Sequence, residues 1–116
     1  MLVQLQRTVN EWNNRSHLLP FLKKAPVVIC IRSEDEAFFI HINNGNVELL
    51  LKTDHHHIDA HLQGQREHII SLLRGEIKLR QATLSNLVNL QATFRTALYL
   101  ETLLFIVKPY KHVNNI

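Results

Sequence analysis

Apolar and polar residues alternate most regularly between Ala37 and Lys52, AFFIHINNGNVELLLK, with Asn44-Gly45 at the midpoint. That dipeptide suits a two-residue type I′ loop, whose central positions both need positive φ. Counting outward predicts Asn43 opposite Asn46, Ile42 opposite Val47, His41 opposite Glu48, Ile40 opposite Leu49, Phe39 opposite Leu50 and Phe38 opposite Leu51. Phe38, Ile40, Ile42, Val47, Leu49 and Leu51 then form one apolar face, and a slip of one residue would destroy it. Another part of the chain must cover that face.

The flanking patterns supply the cover. Leu2, Val3, Leu5, Val9 and Trp12, separated by polar residues, predict an amphipathic helix from Met1 to about Leu19, ending before Pro20. A short turn follows through Phe21 to Lys24, and Lys23 and Lys24 suit a helix end. A membrane-surface anchor is the other reading of this first segment. Pro26 opens an apolar strand, VVICIR, so three antiparallel strands are expected at about 26–32, 37–43 and 46–52. Asp54 and His55 interrupt, and a fourth strand over His57 to Leu62 sends Ile58, Ala60 and Leu62 to one side and His57, Asp59 and His61 to the other.

Gln65 to Leu73 reads as a short helix stopped by Gly75. Glu76 to Asn86 has no clear period. Leu87 to Thr93 fits a fifth strand, with helical continuation as the alternative. Phe94 to Val107, FRTALYLETLLFIV, predicts a last helix before Pro109. It is too apolar for an ordinary surface helix, with Arg95, Thr96, Glu101 and Thr102 as its polar minority. Either several of its sides are buried, or one lines a space that protein does not fill.

At 116 residues the chain is expected to form a single domain, 1–116, able to fold without disulfides or metal. The lone Cys30 is consistent with a reducing compartment, and no signal peptide or membrane span is evident, so a soluble, cytoplasmic protein is expected. The thirteen Lys and Arg are scattered through the sequence, a poor footprint for nucleic acid.

The chemistry-bearing cluster is Asp54-His55-His56-His57-Ile58-Asp59-Ala60-His61. On a strand, His57, Asp59 and His61 share a side and could present nitrogen and oxygen to a metal. The simpler reading follows from Ile58, Ala60 and Leu62, which claim the core and turn the His-Asp-His side to water. His41 and Glu48 read as a cross-strand pair. Cys30, sharing parity with Val28, reads as a small packing residue, and Trp12 as core. No nucleophile motif or phosphate-binding glycine loop appears among three glycines.

In its order of elements the chain resembles the sterol carrier protein 2 domains over about residues 25–107. A meander is followed by the alternating strand His57-Ile58-Asp59-Ala60-His61-Leu62. Next come a helix closing in Leu72-Leu73-Arg74-Gly75-Glu76-Ile77, a last strand and an apolar terminal helix. Where many members carry a second glycine-containing phrase, this chain has Leu90-Gln91-Ala92-Thr93-Phe94. It ends Val113-Asn114-Asn115-Ile116 without a peroxisomal address, which suits a bacterial cytoplasmic member.

The resemblance implies an α/β fold of the α+β type: a five-stranded, mainly antiparallel sheet with helices on one face. It also implies a lipid-sized apolar cavity between the sheet and the C-terminal helix. Parity makes Phe38, Ile40, Leu49, Leu98, Leu104 and Phe105 the candidate lining. The expected function is non-enzymatic carriage of a lipid, fatty acyl chain or other apolar small molecule, without cofactor, nucleic acid or stable membrane insertion. A closed-core module that forms a homodimer or binds a partner protein is the alternative. A metal-dependent enzyme using the His-Asp-His strand is a lesser one.

Overall fold

The computed structural model describes residues 1–15, 18–23, 25–52 and 57–106. Lys24, Asp54, His55, His56 and Val107, which figure in the expectations above, lie outside the described residues. In chain order the elements are α1 (Leu2–Asn14), α2 (Leu19–Leu22), β1 (Val27–Ser33), β2 (Glu36–Asn43), β3 (Asn46–Leu50), β4 (Ala60–Gly64), α3 (Arg66–Leu73), α4 (Leu79–Leu84), β5 (Val88–Ala92) and α5 (Phe94–Ile106). The strands make one sheet in the order β3-β2-β1-β4-β5. β1 and β4 run parallel and the other neighbours antiparallel, so the sheet is mixed and mainly antiparallel.

The central hairpin has the register that its turn dictates. Asn44 and Gly45 adopt φ of 52° and 83°, and Asn43↔Asn46 through Phe39↔Leu50 pair as counted. The sixth rung is not made: β3 ends at Leu50, and Leu51 is 63% exposed. Leu51 has left the ladder and therefore also the apolar face. The loop is held from outside, since the Gly45 N–H donates to the Leu22 carbonyl at 3.3 Å.

α1 is shorter than its apolar spacing suggested. It ends at Asn14, and Arg15 is extended. Asn13 and Asn14 are weak helix formers, and breaking the helix lets Leu18 and Leu22 turn inward, where both are buried. α2 is a single turn with Pro20 inside it, in the first turn, where a missing N–H costs nothing. Leu5, Val9 and Trp12 form the buried stripe of α1, and the buried Thr8 hydroxyl donates to the Gln4 carbonyl at 3.0 Å. At its far end Asn13 clamps the edge strand. Its Nδ2 donates to the Val47 carbonyl at 2.8 Å, and the Val47 N–H donates to its Oδ1 at 2.9 Å.

β4 starts at Ala60 rather than His57. Asp59 takes over the start of the ladder with β1. Its N–H donates to the Val28 carbonyl, and its Oδ2 accepts the Val28 N–H, both at 2.8 Å. A side chain used this way cannot project outward as a strand residue, so the expected His57-Asp59-His61 row is broken.

α3 and α4 both end in the two-bond closure of a Schellman motif. After α3, Gly75 and Glu76 donate to Leu72 and Ser71 at 3.1 and 2.9 Å. After α4, Asn86 and Leu87 donate to Thr83 and Ala82 at 3.2 and 2.9 Å. Gly75 and Asn86 occupy the left-handed positions, at φ 75° and 59°. α4 falls in the stretch without a clear period, because six residues are too short to display one.

One core results, joining the Ile29, Ile31, Phe38, Ile40, Ile42, Val47, Ala60 and Leu62 side of the sheet to all five helices. Val28 and Cys30 are also buried but stand apart from that core. The register places Cys30 between Phe39 on β2 and His61 on β4.

Candidate functional site

α5 determines where the apolar surplus goes. Thr93 caps its start, accepting the Thr96 N–H at 3.2 Å. Leu100, Leu103 and Leu104 are buried against the core, whereas Phe94, Leu98 and Phe105 are exposed. The helix therefore has one covered apolar face and a second, uncovered one.

Beside the covered face lies a cleft of about 360 Å³. One wall is α5, through Glu101, Thr102, Leu104 and Phe105. The other is the α3–α4 connection and the start of α4, Gly75 to Arg80. The Schellman closure at Gly75 turns the chain away from α3 and stands this wall opposite α5. Ile77, Leu79, Leu104 and Phe105 provide apolar lining, and Lys78 and Arg80 bring positive charge. The Lys78 ammonium lies 5.9 Å from the centre of the Phe105 ring, at the limit of a cation–π contact. Among the described residues no ion pair engages Lys78 or Arg80.

Of the six candidate lining residues, Leu104 and Phe105 meet at this cleft. Phe38 and Ile40 are buried under the helices, Leu49 is half-buried, and Leu98 lies on the uncovered face of α5. The opposite wall carried no readable signal, because the residues from Glu76 onward follow neither a strand nor a long-helix pattern.

A second, more open concavity of about 600 Å³ lies where the β1–β2 turn meets the α4–β5 connection. Glu34, Gln63, His68, Asn86 and Asn89 share its lining with Leu87 and Val88, so polar and apolar groups are mixed there.

The histidine cluster does not gather. The His57 Nε2 lies 3.1 Å from the Asp59 Oδ1, while His61 faces outward from β4. Among the described residues no group of three or more His, Cys, Asp or Glu is placed to hold a metal. His41 is opposite Glu48, as counted from the turn. Burial pushes the Cys30 thiol above its ordinary value, with the Arg32 charge and hydrogen bond acting the other way, and burial also raises the Tyr99 phenol.

No protein-family model matches the sequence, and no curated protein matches it significantly. Solved structures do match in shape. A UbiJ-SCP2 ubiquinone synthesis protein superposes with a TM-score of 0.70 at 10% identity, covering 88% of this chain and 85% of the other. Sterol carrier protein domain 2 of Helicoverpa armigera gives 0.71 at 13%, covering 88% and 83%. The sec-alkylsulfatase Pisa1 from Pseudomonas sp. gives 0.64 at 11%, covering 78% of this chain but 14% of that enzyme. The five-stranded mixed sheet with its helices matches these sterol carrier protein neighbours in overall shape, and the chain has the sterol carrier protein 2 fold.

Proposed function

We propose that this domain binds and carries an apolar small molecule, a lipid or fatty acyl chain, without making or breaking a bond. The observation that carries this reading is the cleft between α5 and the Gly75–Arg80 wall, lined by Ile77, Leu79, Leu104 and Phe105. Its volume is near the lower end of the roughly 300–1,000 Å³ typical of ligand pockets. A long chain therefore needs α5 to move outward. That movement would extend the cleft toward the sheet and bring Phe38, Ile40 and Leu49 into the lining, with Leu98 at its outer edge. Affinity would come from apolar burial, at about 25 cal/mol per Å². Neighbours named as sterol carrier proteins and a ubiquinone synthesis protein support an apolar ligand. The cytoplasm of a bacterium is the proposed setting.

Native mass spectrometry of protein purified without delipidation tests the proposal. An apolar adduct that Leu104→Asp removes is the expected result. Adduct-free protein that also fails to take up oleate or a sterol from solution overturns it. A ligand-free dimer would instead favour the interaction module, for which the uncovered face of α5 is the specific support.

A further inference from the structure

The two outer strands of the sheet are finished differently. On β3, Asn13 occupies the outward backbone groups of Val47 and so obstructs that edge. The other outer strand is β5, with the sequence VNLQA. It has no charge and no proline, and it pairs with β4 from Gly64↔Val88 to Ala60↔Ala92 without a bulge. Charge, proline and bulges are common devices that keep an edge from pairing, and β5 has none of the three. Asn89, Gln91 and Ala92 are exposed.

The register specifies which groups β5 offers. Ser33↔Glu36 closes a two-residue turn, which makes it a hydrogen-bonded pair. Alternation along β1 then directs Ile29 and Ile31 to β2, and Val28, Cys30 and Arg32 to β4, as the bonds of Val28 to Asp59 show. Cys30, in parallel register with His61, bonds the residues on either side of it, Ala60 and Leu62. His61 and Gln63 are therefore the residues that bond β5, through Gln91 and Asn89. The N–H and C=O groups of Val88, Leu90 and Ala92 point outward.

Apolar side chains bracket this edge. Leu84, at the end of α4, and Phe94, at the start of α5, are 78% and 74% exposed, more than any other large apolar residue among those described. Over residues 84–96 the only charge is Arg95.

We propose that β5 pairs with β5 of a second copy, antiparallel about a two-fold axis at Leu90, so that one sheet runs through both molecules. Leu90 meets Leu90 and Val88 meets Ala92, and the outward backbone groups of each copy bond those of the other. Asn89 then faces Gln91. Each of these amides carries both donor and acceptor, so the strand complements itself. The end of one β5 lies beside the start of the other, which draws Phe94 of one copy toward Leu84 of the partner subunit. The same axis keeps the two Arg95 side chains at opposite ends of the ladder. An uncharged, self-complementary edge fits a second copy better than an acidic or basic peptide. Pairing here neither needs nor excludes cargo in the cleft.

Light scattering on the full chain over about a hundredfold range of concentration should show the mass rising from 13.5 kDa toward twice that value. In the dimer, amide hydrogen exchange at Leu90 and Ala92 should be at least about tenfold slower than in the dilute chain. Asn89→Lys with Gln91→Lys sets like charges across the axis and should weaken association at least about tenfold. Ala92→Pro removes an outward donor and Leu84→Ser with Phe94→Ser removes the apolar bracket, and each should also weaken it. Val3→Ser with Leu51→Ser should leave association unchanged, and circular dichroism should show each variant folded. A chain that stays monomeric, whether or not a different protein protects those amides, overturns the proposal. So does a dimer whose Leu90 and Ala92 amides exchange as in the dilute chain, or one that the folded lysine variant leaves intact. A dimer paired in this way that takes up no apolar ligand supports the proposal and overturns the carrier reading alone.

Discussion

Replacing Asn13 by Ala tests how the first helix is attached to the sheet. Asn13 presents its amide to the outer edge of β3 as a neighbouring strand would, accepting from and donating to Val47 at 2.9 and 2.8 Å. Val47 is buried, so water is a poor substitute partner for its backbone groups. Two hydrogen bonds at about 1 kcal/mol each give about 2 kcal/mol. Alanine's better helix propensity returns roughly 0.5 kcal/mol. The net cost is about 1.5 kcal/mol, or a fall in Tm on the order of 6 °C for a domain of this size.

Urea denaturation followed by Trp12 fluorescence measures that loss as a lower midpoint at unchanged slope. Asn13→Asp sharpens the test. At neutral pH one carboxylate oxygen replaces the amide donor and faces the Val47 carbonyl. Protonation restores a donor, so the folded-state pKa of this Asp lies above its unfolded value. The variant should regain stability relative to wild type as pH falls toward about 4. An Asn13→Ala midpoint within about 0.5 kcal/mol of wild type, the level of an ordinary surface change, would refute the clamp.

Other expectations follow from single contacts. Gly45→Ala should cost about 1–2 kcal/mol, because φ is +83° and the new Cβ would lie 2.6 Å from Leu19 Cδ1; thermal unfolding measures it. Asp59→Ala strands the Val28 N–H and should cost about 1.5–3 kcal/mol, whereas His57→Ala and His61→Ala should change urea midpoints by less than about 0.5 kcal/mol. Cys30 and Tyr99 ionise less readily in the fold than their ordinary values of 9.0 and 10.0, so the folded state keeps their protons longer. Their contribution to stability is full below 9.0 and is lost as pH rises through the folded values. In a titration of the urea midpoint, Cys30→Ala should delay the onset of that alkaline loss.

Local chemistry made the hairpin readable: Asn44-Gly45 admits one turn, and the turn admits one pairing for Ile40, Ile42, Val47 and Leu49. The stop at Gly75, the fifth strand and the start of α5 at Phe94 were readable for the same reason, since each depends on neighbours a few residues away. α1 ended early because burying Leu18 and Leu22 outweighed continuing its pattern. β4 began late because Asp59 bonded Val28, which is 31 residues distant in the chain. β4 lies beside β1 although β2 and β3 intervene in sequence, and no local pattern encodes which strand a new one joins.

The candidate site divides along the same line. The apolar excess of α5 was visible as composition, and Leu104 and Phe105 were among the residues it singled out. Whether each face of that helix would be covered, line a cleft or face outward depended on where the Gly75–Arg80 wall came to stand. Periodicity in a sequence specifies which side chains share a face. The partner of that face is set by packing among elements far apart in the chain, and only the assembled fold decides it.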